Sequence, residues 1–353
     1  MTHILLFDVP GGNDFTVMDD AIELGHEVTF CTNDRDHYRR QGAATEAALS
    51  RCREILETPA HASAVLEQQL IERHTQQPFS ALLCLIDIRI IEASRIARRL
   101  GLPFLNPTTA EQLRDKFTVR EKLAEHGLRQ PRFALAQSLQ DLPHDMETVG
   151  FPALIKPSDG YGSQNVTVLF REDQLATYME RFAQILQTPT PYGLGVSSNN
   201  RFLVEEYLRG SMIGCDLFCD SRRRLFLGIN DKLLFPPPSF SFRGSCFPSN
   251  RFDEKAIQDY AFQILDVMEF DFGATHIEMM VTEEGPHLVE INPRLVSAQI
   301  PYLMGYAFGR SLYTDLIQLH LGVPVENWPP FERQWYSAIR WIVADRPGEL
   351  TSI

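Results

Sequence analysis

The sequence predicts an α/β and α+β protein of two or three domains, and three observations carry that expectation. The first hundred residues alternate short apolar strands with helices, the pattern of a small parallel sheet. The middle reads as a helix pair followed by strand, glycine loop, strand and amphipathic helix. The remainder is dominated by strands and contains a hairpin turning at TEEGP. With 353 residues, 44% of them hydrophobic, the chain is long enough to build more than one core.

In order, HILLFDV is a strand, GGND a turn, FTVMDDAIELGHE a helix closed by Gly25, and VTFCT the next strand. SALLCLID and IRIIEASRIARRL repeat the strand–helix alternation. Gly11 and Gly12 lack the G-x-G-x-x-G spacing, so they read as a tight strand-to-helix turn and not as a dinucleotide site. NPTTAEQLRDKFTVREKLAEHGL is a helix pair with Thr109 as the first cap and Gly127 as the second stop, and Pro131 forbids continuation. A helix is also expected near 253–267. The stretch TPTPYGLGVSSNN reads as a mobile connection, and RRR at 222–224 as a solvated hairpin tip. Three domains follow, at 1–108, 109–200 and 201–353.

Composition excludes several classes. No run of eighteen apolar residues occurs, and MTHILLFDVPGG has no basic segment before its apolar one, so neither a membrane span nor a signal peptide is expected and localisation defaults to the cytoplasm. The six cysteines are scattered without a C-x-x-C pair, which fits reduced core thiols, with Cys215 and Cys219 on one strand face. A net charge of −13 argues against nucleic acid or an anionic membrane as partner. Any anionic ligand must then meet local positive charge. Arginine occurs 28 times and lysine only five, at 116, 122, 156, 232 and 255, so each lysine invites explanation as a compact cation suited to phosphate oxygens.

The segment HIEMMVTEEGPHLVEINPR, residues 276–294, places two carboxylates in runs that otherwise read as buried strand. Centring the hairpin on Glu284 sets Glu278 opposite Glu290. Alternation then puts Ile277, Met279, Val281, Val289 and Ile291 on one apolar face and His276, Glu278, Glu290 and Asn292 on the other. Opposed Cβ atoms lie about 4.5–5.5 Å apart, where like charges repel unless a cation intervenes. Two carboxylates and an amide oxygen are hard ligands suited to Mg²⁺, whereas zinc has only His276 as a nitrogen donor. Arg294 continues the alternation beyond Pro293 and brings a fixed cation beside the seat.

In ALIKPSDGYGSQNV, Lys156 ends an apolar strand and Gly160, Gly162, Ser163 and Gln164 form a loop whose backbone N–H groups can approach phosphate. The spacing is not that of a P-loop. FLVEEYL supplies Glu205 and Glu206 at a strand end, where an acid can accept from an adenine amino group.

A lysine in a helix pair, a lysine before a glycine loop, E-E-Y-L, and then E(x)₁₁E-x-N-x-R resemble, in order and spacing, the ATP-grasp superfamily over roughly residues 80–345, most closely its carboxylate–amine ligase branch with the L-amino-acid ligases. The resemblance implies an ATP-grasp fold with an N-terminal Rossmann-like pre-ATP-grasp domain, a small lid lobe and a larger C-terminal lobe. It implies ATP phosphates on Lys116, Lys156 and the loop Gly160, Gly162, Ser163 and Gln164. Glu205, Glu206, Tyr207 and Leu208 would meet adenine. One or two Mg²⁺ ions, or Mn²⁺, would sit on Glu278, Glu290 and Asn292. Arg294 would bind the substrate carboxylate or its acyl phosphate, with Lys232 near the phosphates. The implied activity is ADP-forming amide or peptide bond formation through an acyl phosphate, from small-molecule carboxylate and amine substrates, in a chain that can form a homodimer.

Three departures mark this sequence. Met212 stands where relatives carry a glutamate for the ribose hydroxyls. LVSAQIP replaces a glycine-rich substrate loop, and Arg243 stands where an acid is common. The end at AIRWIVADRPGELTSI implies truncation at the C-terminus. Two competing readings remain at this stage: a bicarbonate-activating enzyme of the carboxylase type, and a non-catalytic nucleotide-binding protein.

Overall fold

The structure is a computed structural model that describes residues 2–160, 162–186, 191–235 and 242–342. The strands β1 (His3–Phe7), β2 (Glu27–Thr32), β3 (Glu54–Glu57) and β4 (Ala81–Leu83) form a parallel sheet in the order β3-β2-β1-β4. β1 is buried along its whole length, as a central parallel strand covered on both faces requires. The diglycine is a turn: Gly11 and Gly12 have φ of 115° and 56° and lead into a short 3₁₀ helix.

At the carboxyl end of β1, Asp8 is fully buried and takes four partners, the Thr32 side chain among them. Arg89 Nη1 donates to its Oδ2, Tyr38 Oη donates to Oδ1 at 2.9 Å, and the Asn33 N–H lies 3.4 Å away. Burial pushes the Asp8 carboxyl up, against the pull of Arg89. Arg89, 2% exposed, also reaches Glu92 at 2.8 Å and lies over the Phe7 ring.

The second sheet contains β5 (Phe133–Ala136), β6 (Ala153–Pro157) and β7 (Thr167–Leu169). After the two-stranded hairpin β8 (Pro191–Gly193) and β9 (Val196–Ser197), the chain returns to it as β10 (Phe202–Glu206), giving the antiparallel order β5-β10-β6-β7. Helices Leu142–Val149 and Asp173–Leu186 cover one face with Leu142, Met146 and Tyr178. The expected boundary at 200/201 therefore falls just ahead of a strand that belongs to this small sheet. The stretch 191–200 is not a loose connection: Tyr192 and Leu194 are buried, and the Leu194 carbonyl accepts from Asn33 Nδ2 at 3.1 Å. Thr188 to Thr190 of the same stretch lie outside the described residues.

The third sheet is antiparallel: β11 (Ser211–Cys219), β12 (Arg224–Leu234), β13 (Phe242–Phe247), β14 (Gly273–Thr282), β15 (Gly285–Asn292) and β16 (Ser337–Arg340), ordered β15-β14-β11-β12-β13-β16. Arg222 and Arg223 cap the β11–β12 hairpin, exposed as expected, whereas Arg224 is half-buried at the start of β12 and pairs with Asp266; Cys215 and Cys219 are free thiols in the core. Helix Glu254–Val267 covers one face, together with Leu113, Val119 and Leu123 of the helix pair Pro107–Arg114 and Lys116–Glu125. That pair, expected in the small lobe, thus packs on the larger one. Its first helix is capped not by Thr109 but by Asn106, whose Oδ1 accepts from the Thr108 N–H at 2.9 Å, with Pro107 at the first position; Thr109 bonds the Glu269 carbonyl. Helices Ile300–Phe308 and Leu312–His320 join this sheet to the N-terminal one in a shared core containing Phe218, Phe247, Met304 and Leu316.

The Asp8–Arg89 pair makes the first prediction. Arg89→Met leaves a buried carboxylate without its cation, and such a loss costs about 3–5 kcal/mol. A clearly lower urea midpoint for the earliest unfolding transition is expected; an unchanged midpoint would show that the pair does not hold the N-terminal sheet.

Candidate active site

A cleft of about 1390 Å³ opens between the small sheet, the large sheet and the loop residues Gly160, Gly162, Ser163 and Gln164. Its floor is the β14–β15 hairpin. Glu278 is register-paired with Glu290, and His276 with Asn292, as the alternation predicts. The register then slips by one between Glu278 and Met279, so that Met279 pairs with Leu288. Val289 is the extra residue of this bulge. The expectation that Val289 faces the core is therefore corrected: Leu288 is fully buried there, and Val289 lines the cleft.

The bulge has a chemical consequence. Its freed Val289 carbonyl accepts from Arg120 Nη2 at 3.0 Å and meets Lys156 Nζ at 3.5 Å. Those two cations also embrace Glu205, at 2.7 Å and 2.8 Å, one on each oxygen. Burial alone would raise the Glu205 carboxyl, but Arg120 and Lys156 outweigh it and hold it below the usual range. The same burial draws the Lys156 ammonium down, against the pull of Glu205. Glu205 therefore orients Lys156, each of its oxygens already accepting from a cation, and it still lines the cleft. Glu206 points the other way along the strand and pairs with Arg132 at 3.1 Å.

Each carboxylate of the opposed pair is met by a lysine. Lys116 Nζ lies 2.9 Å from Glu290 Oε1 and donates to the Gly160 carbonyl at 2.7 Å, joining the hairpin to the glycine loop. Lys232 Nζ donates to Glu278 Oε1. Behind Glu278, His276 places Nε2 3.5 Å from its Oε1 and Nδ1 2.9 Å from Asp216, whose other oxygen accepts from Asn230. Burial would lower His276, yet Asp216 raises it; burial would raise Glu278, yet Lys232 and His276 bring it well below the carboxylate range. Gly214 sits between these layers, where a Cβ would lie 2.6 Å from the His276 ring and 2.7 Å from Asn230 Oδ1. Only glycine lets them close up.

Asn292 is 6% exposed and is not part of the cleft wall. Arg294 lines the cleft and its Nε donates to Asp87 at 2.7 Å, which fixes the guanidinium from the N-terminal domain. Asp14, on the 3₁₀ helix after β1, stands near Arg294. It accepts from Tyr313 Oη at 3.1 Å, and the Ala298 N–H also bonds it. Gly162, Ser163 and Gln164 line the opposite wall, with Gly162 at φ 62° and Ser163 at 57°. The loop base is held by Asp159, which accepts from Tyr192 Oη and the Asn199 N–H. Tyr207, Leu208 and Met212 lie along the far edge, Met212 paired with Met280. Arg120, His276, Asp216 and Asp87 were not singled out as site residues on sequence grounds. Arg120 carried a usable signal, lying one helical turn after Lys116.

Profile comparison finds an ATP-grasp N-terminal domain over residues 18–104 and an ATP-grasp domain over 149–300. The chain belongs to the ATP-grasp superfamily. An uncharacterized protein of Sinorhizobium fredii, y4rH, is 31% identical over 266 residues, which are 73% of this chain and 52% of that protein. Carnosine synthase 1 of Gallus gallus is 25% identical over 91% of this chain and 35% of its own length. The chain thus spans about half or less of these curated relatives. The L-amino acid ligase of Bacillus licheniformis superposes with a TM-score of 0.73 at 18% identity, covering 91% of this chain and 74% of that one. Among the described residues, no helix of this ATP-grasp chain is long and apolar enough to cross a membrane.

The residues fit what the family binds. Two opposed carboxylates present hard oxygens of the kind suited to Mg²⁺, and each is held by a lysine, Glu290 by Lys116 and Glu278 by Lys232. Lys116, Lys156 and the glycine loop surround a volume large enough for a nucleotide.

Asp14 supplies a pH prediction. Burial raises its carboxyl to about 6, above an ordinary value of 3.8. A raised folded value gives stability that is complete below about pH 4 and is lost as pH rises through 6. Asp14→Asn should flatten that part of the stability–pH curve measured by thermal unfolding, and an unaltered slope would remove Asp14 from this role.

Proposed function

We propose that the chain is an ADP-forming carboxylate–amine ligase of the cytoplasm, making an amide or peptide bond between small-molecule substrates. The observation that carries the reading is the Glu278–Glu290 seat, with Lys116 and Lys232 upon it and Arg294 alongside, all facing one cleft. Kinship with a carnosine synthase and an L-amino acid ligase supports an amine as the second substrate.

In this reading Glu278 and Glu290 hold one or two Mg²⁺ ions, or Mn²⁺ with the same donors, and the ion would neutralise phosphate charge as a Lewis acid. Lys116, Lys156 and the N–H groups of Gly160, Gly162, Ser163 and Gln164 bind the ATP phosphates; Tyr207, Leu208 and the backbone of Glu206 border the adenine. The wall at Met212 and Met280 offers the ribose no carboxylate. Arg294 and Lys232 orient the substrate carboxylate. Its oxygen bonds to the γ-phosphorus as the bridging P–O bond breaks and ADP leaves. The amine then attacks the acyl carbon, releases phosphate and gives up its proton, so the product is an amide. These side chains act by position and charge, and none has to serve as a strong base.

Glu290→Ala tests the seat. ADP formation stimulated by a carboxylic acid and an amine should fall by about 100-fold or more. The melting curve should remain near that of the parent, since Lys116 keeps its bond to Gly160. Undiminished turnover would refute the assignment.

A further inference from the structure

Two groups that the ligase reading gives to different ligands hold each other in this structure. Lys116, which reaches the phosphates in that reading, has its Nζ 2.9 Å from Glu290 Oε1, where the metal would sit. Lys232 stands on Glu278 in the same way. The two carboxylates are thus matched one for one by ammonium groups of this chain. All four side chains are between 10% and 28% exposed, so water and salt screen these pairs weakly.

A divalent ion arriving alone would have to break both pairs and leave two ammonium groups in the cleft without a counter-charge. The neighbouring charges give those groups no relief. Lys156 and Arg120 already share the single carboxylate of Glu205, and Asp87 is taken by Arg294. A nucleotide changes this balance, because its phosphate oxygens accept from an ammonium group that a carboxylate gives up.

The setting of Lys116 permits that exchange. It is the first residue of helix Lys116–Glu125, and its backbone is pinned independently of its side chain. The Lys116 N–H donates to the Ser158 carbonyl at 2.9 Å, and Asp115 caps the helix by accepting from the Phe117 N–H at 3.2 Å. Arg114 adds a further tie, donating to the Asp159 carbonyl at 2.9 Å. Exchange of the ammonium group breaks the 2.7 Å bond from Nζ to the Gly160 carbonyl and leaves those ties in place. The helix start and the loop base therefore stay joined while the flexible stem lets the charge move. Among the described residues Lys116 is the only ion-pair partner of Glu290, whereas Glu278 also has His276 behind it.

Resting on the ligase reading above, we infer that Lys116 is an exchangeable counter-ion of the metal seat. It keeps Glu290 from a free divalent ion and yields it when nucleotide phosphates take the ammonium group, so that metal and nucleotide enter together. The same exchange releases the Gly160 carbonyl and couples the seat to the glycine loop. By linkage the effect runs both ways, and Glu290 withholds Lys116 from a nucleotide that comes without metal.

The test measures binding to the full chain and needs no turnover. Mn²⁺, the probe for the seat, is titrated by electron paramagnetic resonance in the absence of nucleotide. Lys116→Met, which removes the charge and keeps an unbranched stem, should bind Mn²⁺ about tenfold more tightly than the parent, the weight of one charge-assisted bond. ATP is titrated separately in EDTA by calorimetry. Glu290→Gln should bind this metal-free ATP about tenfold more tightly than the parent, and the gain should vanish in a Lys116→Met background, because the freed ammonium group supplies it. Lys255→Met, which removes an exposed partner of Asp259, should alter neither affinity. Mn²⁺ binding that is unchanged or weaker in Lys116→Met, or a Glu290→Gln gain that survives without Lys116, overturns the inference and leaves the seat standing. The two arms read the contact from opposite partners, so either one decides if the other variant does not fold. If the parent and Glu290→Ala hold the Mn²⁺–ADP complex equally tightly, the seat reading fails and takes this inference with it.

Discussion

Two glutamates facing each other across an antiparallel pair set the terms for much of this molecule. Unscreened, Glu278 and Glu290 would repel and splay the hairpin; with Lys232 and Lys116 on them they bind it to the rest of the protein. Lys116 comes from a helix that reaches the site only because its other face packs in the large-lobe core, and it also grips the glycine loop. Lys232 reaches Glu278 from two strands away, over the intervening β11. The electrostatic requirement of one residue pair thus recruits a helix, a loop and a third strand.

A second layer holds that pair in place. Asp216 and His276 back Glu278, while the bulge at Val289 turns a backbone carbonyl toward Arg120 and Lys156, which together clasp Glu205. Buried charge is tolerated here because every member is hydrogen-bonded, and removing any one would leave its partner unpaired. The N-terminal sheet takes part through Asp87, which holds Arg294, and through Asp14, which is bonded by the Ala298 N–H in the segment after it. Three lobes therefore meet in a single cleft, and motion between them would alter the spacing of its cations.

What the sequence determined by itself was local. A hairpin closed by a short turn makes its own register, so the pairing of Glu278 with Glu290 followed from alternation alone; strands β1, β2 and β4 followed from apolar runs in the same way, whereas β3, four residues long and only partly buried, was not legible. The scarcity of lysine pointed to five residues, of which 116, 156 and 232 line the cleft, while Lys122 does not and Lys255 is an exposed partner of Asp259. Tertiary structure decided the rest. The bulge at Val289 exists because its carbonyl finds Arg120 and Lys156, contributed by residues more than a hundred positions away. Glu205 is held by the same two cations, and the strand carrying it joined the small sheet because β5 and β6 offered edges to it. Thr109 could have capped a helix, but Asn106 with Pro107 behind it did so at the true start. The polar stretch 191–200 became an ordered hairpin once Asn33 and Asp159 accepted or supplied its hydrogen bonds. Partners distant in the chain leave no periodic mark on it, so only the folded arrangement could select them.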